Sequence, residues 1–175
     1  MDPFATLGLP RRYALDLAVA EKAHRELSRA LHPDRYAQAG ASERRDALSR
    51  AVAVNEAFRT VRDPVSRAEA LMTLLGIAVG DGHEPKADPA FLMDMLEQRE
   101  ALAEARASRN AVAIADLRDA LRATELGAQA ELAAGFDSGR AAELVGKLGE
   151  LRFYRRFIDE AQAILDDLSD CASTA

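Results

Sequence analysis

Three histidines occur in the chain, and one stands where a helical pattern stops. Residues 29–38 read RALHPDRYAQ, placing His32, Pro33 and Asp34 in succession. Such a group could ligate a metal with His24, dock on a charged partner, or be a turn with polar residues. Pro33 has no backbone N–H and drives the preceding residue out of helical geometry. The helix must end near Leu31, so His24, His32 and Asp34 lose the regular spacing that a helical metal site needs. His32 and Asp34 are expected on a loop between two antiparallel helices.

Other chemistry-bearing residues are scattered. His83 falls in a stretch of turn formers. Cys171, the single cysteine, lies near the C-terminus. One cysteine forms no internal disulfide and no zinc or iron–sulfur ligand cluster. There is no nucleophile motif and no glycine-rich phosphate loop. The expectation is a chain that is not an enzyme, with no catalytic residue, no cofactor and no metal site.

The elements that must carry these residues are helices. The 175 residues are 49% hydrophobic and 30% charged, with no Trp and long runs of Ala, Leu, Glu and Arg. Those are strong helix formers in a composition that folds. No apolar run approaches the ~20 residues that span a bilayer, and the first nine residues lack the pattern of a signal peptide. The expected location is the cytoplasm, away from membranes. The net charge of −6 argues against nucleic acid as a partner. Residues 1–76 hold twelve Lys+Arg against ten Asp+Glu, and residues 77–175 hold eleven against nineteen. Such a charge break suggests two modules with different partners.

GIAVGDGHEPKADP, residues 76–89, reads as the connection between them. The expected organisation is a first module over 1–76, a linker over 77–88 and a second module over 89–170. Before the linker four helices are expected. The first is short, over Phe4 to Leu7. The second is capped by Asp16, with Ala20, His24, Leu27 and Leu31 on one face. The third is capped by Ser42, with Leu48, Val52, Asn55 and Val61 near its inner side. Asp63-Pro64 ends it, and the fourth runs from Val65 to about Leu75, where Gly76 stops it. After the linker, helices are expected at roughly 89–107, 109–134 and 138–169, with Ser108 and Ser138 as caps. Three long helices with short connections make an antiparallel bundle.

Residues 2–75 resemble the J domain of DnaJ-type co-chaperones. The resemblance rests on the opening DPFATLGLP, on AVAEKAHRELSRAL running into HPDR, and on NEAFRTVRDPVSRAEAL. It implies an ATP-driven DnaK-class chaperone as partner, with His32, Pro33 and Asp34 contacting its ATPase domain and triggering hydrolysis. The residues add a rationale. Lys22, Arg25 and Arg29, spaced three and four apart, form a basic stripe leading to an exposed acid, which can dock on a charged surface and fix register.

The second module opens with DPAFLMDMLEQREALAEARA. With Phe91 set at 0° and about 100° per residue, Leu102 and Met95 fall near 20° and 40°, Leu92 and Leu96 near 100° and 140°, and Met93 near 200°. Phe91, Met95 and Leu102 can serve a core. Leu92, Leu96 and Met93 are then surplus, flanked by Glu97, Glu100 and Glu104. An apolar patch with a charged rim is a protein-binding signature.

The full length resembles the HscB family of co-chaperones in bacterial iron–sulfur cluster assembly. AFLM…LE.RE.L.E and KL.ELRF carry the resemblance, with the acidic three-helix second module. It implies that this module holds the cluster scaffold protein, an IscU-like partner, while the J module engages an HscA-like chaperone. The positions implied for the scaffold are Leu92, Met93, Leu96, Glu97, Glu100, Glu104 and Phe153. Phe153 is expected off the main stripe of the last helix, which centres on Tyr154, Ile158, Ala161, Leu165 and Leu168. The alternative is a general J-domain co-chaperone with a different client.

Overall fold

The computed structural model describes residues 1–80 and 88–173, without the side chains of residues 171–173. Most of the expected linker, with His83, and the Cys171 side chain lie outside the described residues. Contacts divide the chain into two units. One comprises Met1–Val79 with Phe136–Ala142, the other Gly80–Gly135 with Glu143–Ala175. Among the described residues the fold is all-α, with the helix order expected of a J domain followed by a C-terminal helical domain.

In the first unit each helix start has a local cause. The Asp2 carboxylate accepts hydrogen bonds from the Phe4 and Ala5 amides at 2.9 and 3.1 Å and opens α1, Pro3–Leu7. Gly8, at φ +67°, supplies the left-handed turn that closes it. Burial pushes the Asp2 carboxyl up. The hydrogen bonds from Ala5, Arg11 and Phe4 outweigh that and hold it below its ordinary value. Asp16 caps α2, Leu17–Ala30, through the Ala18 amide at 2.9 Å. Asp63 caps α4, Pro64–Leu74, through the Ser66 amide at 2.8 Å. Gly76, at φ +76°, follows its end.

The third helix corrects two expectations. α3 spans Ala41–Arg62 and its N-cap is Gly40, with no side-chain cap bond, so Ser42 lies inside the first turn. Glycine is an acceptable N-cap because its backbone reaches the required geometry freely. The buried side of α3 is Ala47, Val54, Ala57 and Val61. Leu48 and Val52 are 62% and 49% exposed, whereas Asn55, although its surface is open, reaches His24 on α2 at 2.8 Å. α3 touches α1, α2 and α4. Small side chains on its inner face let those neighbours approach, which leaves Leu48 and Val52 outside.

Arg67 is a buried cation in this unit. One guanidinium nitrogen donates to the Val61 carbonyl at 3.1 Å, and the group lies 4.7 Å from the centre of the buried Tyr13 ring. Both contacts offset the desolvation of its charge.

The second unit is built on three long helices. Asp88 accepts from the Ala90 amide at 2.8 Å and Pro89 takes the first position of α5, Pro89–Ala107. Ser108 closes α5, its hydroxyl donating to the Glu104 carbonyl at 2.9 Å. The cap of α6, Ala111–Asp137, is instead Asn110, which accepts from the Ala113 amide at 3.1 Å. Ser138 does not cap the last helix. A 3-10 turn over Ala141–Leu144 intervenes before α7, Val145–Ser173.

The core of this unit draws on all three. Met95 and Leu102 come from α5, Ile114 and Leu132 from α6, Leu148 and Phe157 from α7. The α7 stripe is wider than expected. Tyr154, Ile158 and Ala161 are buried, but so are Leu151, Phe157 and Ile164, while Leu165 and Leu168 are half-buried. Two adjacent rows of α7 are covered, which moves its buried face away from the C-terminal leucines.

Candidate functional site

The end of α2 is shaped by Pro33. His32 takes an extended conformation, φ −61° and ψ 135°, as a residue before proline must. Its Nδ1 accepts from the Asp34 amide at 3.3 Å, and the Arg35 amide donates to the His32 carbonyl at 3.0 Å. The expected loop is therefore one turn of 3-10 helix, Pro33–Tyr36, with His32 as its cap. The Asp34 side chain is 89% exposed and the His32 side chain 57%. His32 Nδ1 also lies 3.4 Å from the Asp34 carboxylate. One nitrogen cannot accept from the amide and donate to the carboxylate at once. A ring with a bare Nδ1 makes the first contact, and a ring that carries a proton on Nδ1 makes the second.

Lys22, Arg25 and Arg29 are all exposed on α2. Arg25 reaches Glu21 one turn back at 3.5 Å, an open pair that leaves its charge in solvent. His24 faces α3 instead. Its Nε2 lies 2.8 Å from Asn55 Oδ1, and its ring stacks on Phe58 with centroids 4.3 Å apart. The inner face of α2 was legible in sequence, but the partner was not, because Asn55 is distant in the chain.

In the second unit α5 leaves one apolar ridge in solvent. Leu92, Met93 and Leu96 are 53%, 58% and 50% exposed, while Met95 and Leu102 are buried. Glu97, Glu100 and Glu104 are exposed on the same helix. Phe153 is half-buried at the flank. The Phe91 ring meets it edge-on at 5.8 Å and meets Tyr154 at 5.9 Å. Sequence reasoning missed Arg99. Its guanidinium lies 5.2 Å from the centre of the Phe153 ring and 3.6 Å from the Glu160 carboxylate on α7. Its spacing from Met95, one turn along α5, was the available signal.

A ridge of that kind is suited to protein contact. Exposed apolar side chains release water on burial at roughly 25 cal/mol per Å², and charged rims select the partner. Among the described residues no group of three or more His, Cys, Asp or Glu side chains is placed to hold a metal ion. No described helix is long and apolar enough to cross a membrane.

Known proteins resemble the chain over most of its length. The family described as the HSCB C-terminal oligomerisation domain matches residues 87–162. The co-chaperone protein HscB homolog of Paraburkholderia phymatum is 35% identical over 167 residues, covering 95% of each chain. That of Cupriavidus taiwanensis is 37% identical over 169 residues, covering 97% of this chain and 96% of its own. Among solved structures, the chaperone HscB from Vibrio cholerae superposes with a TM-score of 0.85 at 28% identity, covering 96% of this chain and 99% of its own. The human co-chaperone protein HscB shares the fold, with a TM-score of 0.85 at 23% identity over 93% of this chain and 81% of its own.

Proposed function

The chain belongs to the HscB co-chaperone family, and on that premise we propose that it couples a scaffold protein of iron–sulfur cluster assembly to an ATP-driven chaperone. The C-terminal domain binds the IscU-like scaffold through Leu92, Met93, Leu96 and Phe153, with Glu97, Glu100 and Glu104 facing basic groups on the scaffold. The J domain presents His32, Pro33 and Asp34 to an HscA-like chaperone of the DnaK class. The cycle runs in the cytoplasm. Hydrolysis of ATP is the chaperone's chemistry, and this chain makes or breaks no bond itself.

The observation that carries the reading is the exposure of the α5 ridge. Three large apolar side chains within two turns stand half or more in solvent, on a helix whose core is already served by Met95 and Leu102. A soluble chain leaves such a ridge open where a partner covers it. On the J domain, Lys22, Arg25 and Arg29 bring the chaperone's acidic surface into register by long-range attraction. The Asp34 carboxylate then makes the contact that triggers hydrolysis, held out by the 3-10 turn that His32 caps.

Calorimetric titration of the scaffold protein into the full chain tests the client assignment. Replacing Leu92, Met93 and Leu96 together by Ala should abolish measurable heat while leaving thermal unfolding close to wild type. Undiminished binding by a folded triple variant would place the client elsewhere.

A further inference from the structure

The α5 ridge has a second edge of opposite charge. At about 100° per residue, Arg99 and Arg106 fall on nearly the same line, roughly 100–180° around the helix from Glu97, Glu100 and Glu104. Leu92 and Leu96 lie between the two edges. The basic edge borders a groove of about 500 Å³ between α5 and α7, with Leu102, Ala103 and Ile164 in its wall and Glu160 on the far side. Glu160 reaches Arg99 at 3.6 Å, and the side chains of that pair are 46% and 47% exposed. Arg106 is exposed, and no carboxylate among the described residues pairs with it.

An open, long ion pair of this kind is weak, because water screens it and two flexible side chains must be ordered to make it. A carboxylate brought in by a bound partner competes well for the same guanidinium, since arginine presents a planar fork that matches a carboxylate. The groove wall supplies apolar surface for the stem that carries the acid. The cation is also placed to matter, because it covers the Phe153 ring at 5.2 Å.

We propose that this groove takes an acidic side chain of the same client that covers the Leu92, Met93 and Leu96 ridge, with Arg99 and Arg106 as its ligands and Glu160 as the group it displaces. The inference rests on the client reading above and adds what fixes the client's orientation. A client docked with a basic edge toward Glu97, Glu100 and Glu104 presents an acidic edge toward Arg99 and Arg106. Turned end for end, it would set like charges against each other on both sides, which specific interfaces use to reject wrong poses.

The two sides of the ion pair therefore respond in opposite directions. The test is calorimetric titration of the purified scaffold protein into the full chain and its single variants, with thermal unfolding as the folding control. Glu160→Gln removes the internal competitor and should tighten binding by roughly threefold, the size of an exposed pair. Arg99→Glu should weaken it by roughly tenfold or more, through like-charge contact with the incoming acid. Arg106→Glu should weaken it in the same sense, and being exposed and two turns along α5 from Arg99 it reports on charge. Glu160→Gln binding no tighter than wild type, or Arg106→Glu binding as well as wild type, overturns the assignment. So does a change in self-association by sedimentation with scaffold binding unmoved, which would give the groove to a second copy of the chain. Leu92→Ala with Leu96→Ala separates this from the underlying reading. If that variant keeps its affinity, the client reading itself fails. If it loses affinity while the groove variants stay neutral, only the groove assignment fails.

Discussion

His24 Nε2 and Asn55 Oδ1 lie 2.8 Å apart and join α2 to α3 across the hairpin that ends in the His-Pro-Asp turn. The same imidazole stacks on Phe58. One side chain thus bridges α2 to α3 on the helix that displays Lys22, Arg25 and Arg29.

The first prediction concerns this junction. His24→Ala removes a half-exposed hydrogen bond and a stacked ring, together ~1–2 kcal/mol. Asn55→Ala removes the bond alone, ~1 kcal/mol. Denaturant unfolding of both singles and the double should show them coupled rather than additive, since the bond is shared. Additive effects would mean that the two residues stabilise the hairpin independently.

The second prediction concerns Asp34. Its side chain is almost wholly in solvent, so Asp34→Asn should change stability by less than ~0.5 kcal/mol. The loss should appear in function, as absent stimulation of the chaperone's ATPase, because deleting one partner of a desolvated charge contact weakens docking by ~2–5 kcal/mol. Wild-type stimulation by Asp34→Asn would show that the turn is only a turn.

Charge reversal at Lys22 and Arg25 is expected to act on encounter. The association rate with the chaperone should fall by roughly tenfold at low ionic strength and converge on wild type at high salt. Stopped-flow measurement over a salt series decides it. An unchanged rate at low salt would make the stripe an ordinary solvated face.

A fourth prediction follows from Asp2, whose carboxyl is held below its ordinary value although burial opposes this, by the Ala5, Arg11 and Phe4 hydrogen bonds. A lowered folded value means that its contribution is fully present above the unfolded carboxylate range and is lost as pH falls through the folded value. Asp2→Ala should lower stability by ~1 kcal/mol at pH 7, the usual effect of losing an N-cap. In urea unfolding at successively lower pH, the gap between variant and wild type should narrow below about pH 4. A gap constant down to pH 2 would mean that the carboxylate's charge contributes nothing.

Much of the architecture can be read from local signals. Asp16, Asp63-Pro64, Gly76 and Asp88-Pro89 mark helix ends because caps and prolines act on their own backbone neighbours. The α5 wheel likewise separates Met95 and Leu102 from Leu92, Met93 and Leu96, because nineteen uninterrupted helical residues keep a constant phase. The phase of α3 cannot be read that way. Its core face is carried by Ala47 and Ala57 with two valines, and alanine's weak hydrophobic signal is outweighed by Leu48 and Val52, which tertiary packing leaves outside. Arg99 escaped notice for a related reason. Its partners Phe153 and Glu160 belong to α7, and only the packing of α5 on α7 brings the three together.

The central claim is that one chain delivers a scaffold to a chaperone through two separate surfaces. Steady-state ATPase of the HscA-like chaperone, with and without the scaffold, tests it most directly when wild type is compared with the Leu92, Met93 and Leu96 triple Ala variant. The account predicts that wild type stimulates hydrolysis further when the scaffold is added, and that the variant matches wild type without the scaffold but gains nothing from its addition. A variant that keeps the full scaffold-dependent increase would contradict it.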